Sequence, residues 1–251
     1  MKLSRRDVLG AATTVMAAGV IVTGRVWGAN DRVRLCVIGC NGRGNEHVAG
    51  FSKCEGSEVV AICDVDARVR DRVTKKIERE FSRRPKVFTD LREALQDPEI
   101  DAVSIATPHH WHTLAAVWAA QAGKHVYVEK PASHNIFEGQ QLVAANEKFN
   151  VIIMHGTQSR SSSKWLRDIP LLQSGEIIGR LYMARALGYK NGNRGSIGNK
   201  PDAPVPDYLN WDLWQGPAER GTLTTGTGSG GTATARSATR ASIRWISRSG
   251  D

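Results

Sequence analysis

The alternation of short apolar runs with segments of helical spacing constrains this chain more than any other feature. Apolar runs of strand length occupy 33–38, 58–63, 86–88, 102–106, 125–128 and 151–155. Between them, 43–53, 66–82, 90–96, 110–122 and 138–149 carry helix-compatible spacing. Strands that alternate with helices in this way predict a doubly wound parallel sheet, so the fold class expected over 31–156 is α/β. Asp90 is the expected N-cap of its helix, with Glu93 three positions later as in a capping box.

The first run is followed directly by Gly39-Cys40-Asn41-Gly42-Arg43-Gly44. Glycines there permit positive φ and close backbone approach, and the next helix presents free N–H groups to a pyrophosphate. The pattern is G-x-x-G-x-G, which alone is compatible with any tight turn. Asp64 closes the second strand about twenty residues on, the spacing of a dinucleotide fingerprint. Gly39, Asn41, Gly42, Arg43, Gly44 and Asp64 are therefore expected around the adenosine half of a nucleotide. A carboxylate at Asp64 accepts from ribose hydroxyls and repels a 2′-phosphate, so NAD is expected over NADP, with Arg68 and Arg70 near enough in sequence to keep NADP open.

At the end of the fifth strand stands Glu129-Lys130-Pro131, on the edge where open α/β sheets build their ligand sites. Lys130 is the first candidate for proton transfer, with Glu129 orienting or tuning it; the plainer alternative is a strand that has reached water. In Thr107-Pro108-His109-His110-Trp111-His112 the histidines invite a metal reading, but no carboxylate or thiolate set accompanies them and no metal is expected. A cofactor-lining loop is expected instead, with Thr107 and Pro108 beside the nicotinamide ribose and His112 in a lining or supporting role. His155, Gln158 and Arg160 follow the sixth strand, facing either substrate or solvent.

The formal charge of +9 is unevenly spread: Arg5 and Arg6 belong to a targeting pattern, and Arg236, Arg240, Arg244 and Arg248 to an atypical tail. The body carries no basic stripe interleaved with aromatics, so no nucleic-acid partner is expected. Ser4-Arg5-Arg6-Asp7-Val8-Leu9 and the apolar stretch after it have the layout of a twin-arginine export signal over 1–30, predicting the export machinery as a partner and a periplasmic location. An uncleaved N-terminal membrane anchor is the alternative. Cys36 and Cys63 fall within strands as small core residues, with a bridge between them after export as the other reading.

The Gly39 to Gly44 turn, Cys63-Asp64-Val65-Asp66, Ala106-Thr107-Pro108, Glu129-Lys130-Pro131 and the Trp-rich Asn210-Trp211-Asp212-Leu213-Trp214-Gln215-Gly216-Pro217 together resemble the Gfo/Idh/MocA oxidoreductases, the glucose-fructose oxidoreductase and inositol dehydrogenase group. The resemblance covers roughly 31–218 and implies an NAD-binding Rossmann domain followed by an α+β substrate domain. It implies oxidation of a hydroxyl on a sugar, sugar derivative or cyclitol, with NAD as cofactor and the family's lysine falling on Lys130. An intact version is expected to form a homo-oligomer. An NAD-dependent glycoside hydrolase of the same family and an inactive nucleotide-binding remnant are the alternatives.

The second domain begins over 157–220, with a helix expected at 162–174 and a strand at 181–189, but these cannot bury a core and the domain looks incomplete. The family's second-domain histidine and aspartate are missing. Residues 221–251 are almost entirely Gly, Thr, Ser, Ala and Arg, which reads either as a linker or as an out-of-frame product. Regrouping each third base with the next two lets 223–231 spell Y-N-W-H-W-F-W-R and 239–246 spell N-Q-G-I-H-Q-M-D, both similar to the family's second-domain core.

Overall fold

The computed structural model describes residues 32–187 and 204–218, and the backbone of two short strands beyond them. Helix α1 (Arg43–Lys53) follows strand β1 (Val33–Ile38), then come β2 (Ser57–Cys63), α2 (Ala67–Phe81), β3 (Lys86–Phe88), α3 (Leu91–Gln96) and β4 (Ala102–Ile105). The second half adds α4 (His109–Gln121), β5 (His125–Glu129), α5 (Ile136–Phe149) and β6 (Ile153–Gly156). All pairings in this sheet are parallel, in the order β3-β2-β1-β4-β5-β6. The reversal of strand order between β1 and β4 creates the crevice in which such sheets bind ligands.

Period-two alternation divides the core. Leu35 and Val37 of β1 point to one face, where Val48 of α1 and Val69, Val73 and Ile77 of α2 cover them. Cys36 and Ile38 point to the other, against α3, α4 and Leu142 of α5. On α2 the buried residues recur every four positions, one stripe of a 3.6-residue helix, and each fully buried side chain contributes about 1.5–3 kcal/mol. Asp66 starts that helix by accepting from the N–H groups of Arg68 and Val69, and Ser82 ends it in the left-handed conformation. Asp90 caps α3 by accepting from Arg92 N–H at 2.9 Å and also binds the Arg92 guanidinium, so its cap is an ion pair in place of the expected reciprocal box with Glu93.

Beyond β6 a 3-10 turn, Gln158–Ser161, leads into α6 (Ser163–Ser174), close to the expected helix. None of its residues is buried. The strand expected at 181–189 is not formed: 181–187 is irregular, and the remainder lies outside the described residues. Leu181, Met183 and Leu187 are exposed, and no strand among the described residues pairs with this segment, as a stable strand requires. Helix α7 (Trp211–Gln215) differs more. It does not open a separate layer but folds back on the Rossmann domain, where Gln215 is buried and Trp211 and Trp214 stack at 4.8 Å. The two tryptophans are partly covered there. Leu223–Thr224 and Thr234–Ala235, β7 and β8, form a two-residue antiparallel ladder. The export-signal reading over 1–30 lies outside the described residues.

Candidate active site

The turn after β1 is set by main-chain crowding. Gly39 has φ 81°, and a Cβ there would stand 2.8 Å from the backbone of Ala106 and Thr107. At Gly44 a Cβ would meet the Gly39 carbonyl oxygen at 1.7 Å. Only glycine lets the turn close on itself and on the end of β4. Gly42 stands at the N-cap of α1 with no side-chain cap, leaving that end to an outside acceptor.

Asp64 sits over this turn. Its Oδ2 accepts from Cys40 N–H at 2.7 Å and its Oδ1 from Asp66 N–H at 2.9 Å. Burial raises its pKa above the ordinary carboxylate value, with the two backbone donors opposing the shift. Two of roughly four lone-pair sites are used, which leaves room for ribose hydroxyls. Across the crevice, Thr107 Oγ1 is buried with no hydrogen-bond partner among the described residues. A glycine cradle, a half-satisfied carboxylate and an orphaned hydroxyl fit a dinucleotide.

At the end of β5, Glu129 is the hub. Its Oε1 accepts from Arg43 Nε and His47 Nε2, each at 2.9 Å, and from the Gln158 amide. Its Oε2 accepts from Lys130 N–H at 3.1 Å. Burial pushes the Glu129 pKa up, but the hydrogen bonds from Arg43 and His47 outweigh it and hold the carboxyl below its ordinary value. His47 in turn contacts Ser104 Oγ at 2.8 Å through Nδ1. Because ionised Glu129 accepts only, Nε2 carries the hydrogen and the Ser104 hydroxyl donates to Nδ1. The series Ser104–His47–Glu129 resembles a nucleophilic triad by residue type, yet Ser104 is fully buried within β4 and no substrate reaches it. Its role is to lock one carboxylate.

Sequence reasoning did not single out His47 or Ser104. The signal available was the run Arg43-Gly44-Asn45-Glu46-His47, which places Arg43 and His47 four positions apart on one face of α1. The Arg43 side chain, in the turn expected near the nucleotide, pairs with Glu129 and Glu46. Asn41 accepts from Arg72 at 2.8 Å. Lys130 is exposed on this domain.

The three neighbouring histidines diverge. His112 is buried, with Nδ1 2.6 Å from Pro131 O and Nε2 2.8 Å from Thr107 O, tying the β4–α4 loop to the turn after Lys130. His110 contacts Trp214 O at 3.0 Å, whereas His109 is exposed. Among the described residues no group of three potential ligands comes together for a metal. Gln158 joins the Glu129 cluster, while His155 and Arg160 are exposed. Cys36, Cys40 and Cys63 are buried free thiols whose pKa values burial drives well above the ordinary range. They are core residues without nucleophilic character.

Burial, the first cause in each case, holds His47 and His110 below their ordinary 6.5. Below that pH the unfolded chain binds more protons than the folded one, so stability falls as pH drops. Depressed Glu129 acts in the same direction: the stability present above its ordinary 4.5 is lost as pH falls through its folded value. The urea midpoint is expected to be lower at about pH 5.5 than at about pH 7.5, and His47→Gln to shrink that difference. An unchanged midpoint across this range would contradict the assignment.

Residues 33–157 match the model of an oxidoreductase family with an NAD-binding Rossmann fold, the Gfo/Idh/MocA family. Among curated proteins, the chain is 40% identical over 139 residues to "Glycosyl hydrolase family 109 protein 2" of Shewanella sp. strain ANA-3, covering 54% of this chain and 30% of that one. Among solved structures, GenD2 from gentamicin A biosynthesis in complex with NAD is 27% identical with a TM-score of 0.54, covering 62% of this chain and 43% of that one. The scyllo-inositol dehydrogenase of Lactobacillus casei, at 23% identity and TM-score 0.54, covers 59% and 42% respectively and shares the fold. The chain thus spans under half the length of these relatives. Glycine cradle, Asp64, the β5-end carboxylate and the family match lead to one conclusion: this chain belongs to the Gfo/Idh/MocA oxidoreductase family through its NAD-binding Rossmann domain.

Proposed function

We propose that the protein is an NAD-dependent oxidoreductase that removes hydride from a carbinol carbon of a sugar, sugar derivative or cyclitol. The observation that carries the reading is the Glu129 hub, which anchors the Lys130 backbone at the C-terminal edge of the sheet. Bound NAD supplies the hydride acceptor. Lys130 takes the hydroxyl proton on its Nζ, and Glu129 holds the turn that presents it. Arg43, His47 and Gln158 keep Glu129 in one rotamer. Asp64 grips the adenosine ribose, and the Gly39 to Gly44 turn admits the pyrophosphate.

The name of the Shewanella relative favours a second reading, an NAD-dependent glycoside hydrolase, in which oxidation, elimination and re-reduction leave no net NADH. Release of sugar from a chromogenic glycoside without NADH accumulation separates the two. We also propose export by the twin-arginine route, assembly of the intact protein into a homo-oligomer, and an out-of-frame origin for 221–251. A chain read in the restored frame after residue 218 is the vehicle for activity measurements.

Calorimetry on the chain with both nucleotides tests the cofactor assignment. NADP is expected to bind at least about tenfold more weakly than NAD, about 1.4 kcal/mol, because its 2′-phosphate would face the Asp64 carboxylate. Asp64→Ala is expected to narrow the gap. Equal affinity of the unaltered chain for the two nucleotides would remove Asp64 from its role.

A further inference from the structure

The strap 204–218 is held to the Rossmann domain at two places. At the first, Ala67 N–H donates to Tyr208 O at 2.8 Å and Asn210 N–H to Val65 O at 3.1 Å, on either side of an antiparallel bridge between Asp66 and Leu209. The Arg68 guanidinium lies 3.3 Å from the centre of the Tyr208 ring. At the second, Trp111 Nε1–H donates to Leu213 O at 3.0 Å and to Trp214 O at 3.1 Å, and the His110 and Trp214 rings meet at 5.5 Å. Gly216, at φ 49°, allows this approach: a Cβ there would stand 2.1 Å from Trp111 Cζ2.

These two attachments have a shared location. Val65 to Ala67 directly follow Asp64, at the end of β2. His110 and Trp111 directly follow Thr107 to His109, at the end of β4. The ends of these strands flank β1 and its glycine turn, so the strap is bonded both to the Asp64 side, assigned to the adenosine ribose, and to the Thr107 side across the crevice. A segment hydrogen-bonded to both sides sets their separation. From this placement we infer that the strap is a clasp for the adenosine subsite, and that its docking and the binding of adenine nucleotides are coupled.

Coupling of this kind is reciprocal. A docked strap raises affinity for the nucleotide, and the nucleotide retains the strap. The ligand class is any nucleotide that carries the adenosine diphosphate half, so ADP-ribose suffices and the nicotinamide is not required. The inference rests on the NAD-binding assignment but not on the proposed substrate or on Lys130.

The test uses the full 251-residue chain. Asn210→Pro is the first variant. Asn210 has φ −78°, which proline adopts, and the change removes the hydrogen bond to Val65 and the cap on Leu213. Trp111→Phe is the second, keeping an aromatic ring against the core while losing both bonds to the strap. Each is titrated with NAD and with ADP-ribose by calorimetry. Chymotryptic cleavage at Tyr208 to Trp214 of the unaltered chain is followed with and without saturating NAD.

Both variants are expected to lose about tenfold or more in affinity, by the same factor for the two nucleotides, with the thermal midpoint of the domain retained. Cleavage of the unaltered chain is expected to slow several-fold with NAD. Unchanged affinity in both variants, a loss confined to NAD, or cleavage indifferent to NAD would overturn the clasp. The cleavage arm decides the matter even if the variants unfold. An unaltered chain that binds neither nucleotide would remove the adenosine site itself, and the clasp with it.

Discussion

Replacing Lys130 by alanine, in a chain read in the restored frame, is expected to lower turnover by about 10²- to 10⁴-fold, the range for loss of a general base. Affinity for NAD is expected to stay within a few-fold, because Lys130 contributes its backbone N–H to Glu129 and that bond survives the substitution. The separation of the two effects is what distinguishes a proton-transfer group from a cofactor clamp. Its side chain is exposed in the Rossmann domain, so under the proposed role the environment that tunes it would be supplied by bound cofactor, substrate and a second domain. Steady-state kinetics paired with calorimetry measures both quantities. Wild-type turnover in Lys130→Ala would return the residue to the plain reading, a strand end at the water boundary.

Gly44→Ala is expected to weaken NAD binding by at least about 100-fold, about 2.7 kcal/mol. The added methyl would lie 1.7 Å from the carbonyl oxygen of Gly39 and 2.7 Å from its carbon. Both obstacles are main chain, so no side chain can swing aside and the turn itself must open. Gly39 is in turn pressed against Ala106 and Thr107, which carries the displacement across the crevice to the wall that holds the orphaned Thr107 hydroxyl. Overpacking of this sort also costs about 1–3 kcal/mol of stability. Gly50→Ala is the control. It lies in the same helix with open space around its Cβ position, and is expected to keep NAD affinity and to stabilise α1 by about 0.5–1 kcal/mol. Binding by Gly44→Ala within a few-fold of the unaltered chain would show that the turn is not the cofactor cradle.

The two halves of the site differ in how far they could be foreseen. The nucleotide half is built from short-range features: a strand, a glycine turn and an acid at the end of the next strand, each readable because strand and helix periods and positive-φ positions are local properties. The Glu129 half is built across long separations. His47 lies 82 positions from Glu129 and 57 from Ser104. No periodicity links those residues, and a histidine on a helix face is equally compatible with solvent. Arg43 shows the same limit, since its place in the turn was legible but its direction was chosen by the buried carboxylate of a strand that crosses the sheet two positions away.

The parallel α/β sheet, the cradle at Gly39 to Gly44, Asp64 at the end of β2 and the Glu129-Lys130-Pro131 turn were legible in the sequence, because each follows from apolar spacing or from a backbone conformation that only certain residues adopt. Sequence reasoning did not foresee that the Trp-rich segment packs against the Rossmann domain. It took the folded arrangement to show that the carbonyls of Leu213 and Trp214 meet the Trp111 indole, that His112 lies between two backbone carbonyls, and that Glu129 is shared among Arg43, His47 and Gln158. The physical reason is that buried polar groups must find partners wherever the chain brings them. The sheet topology, not proximity in sequence, determines which partners are within reach.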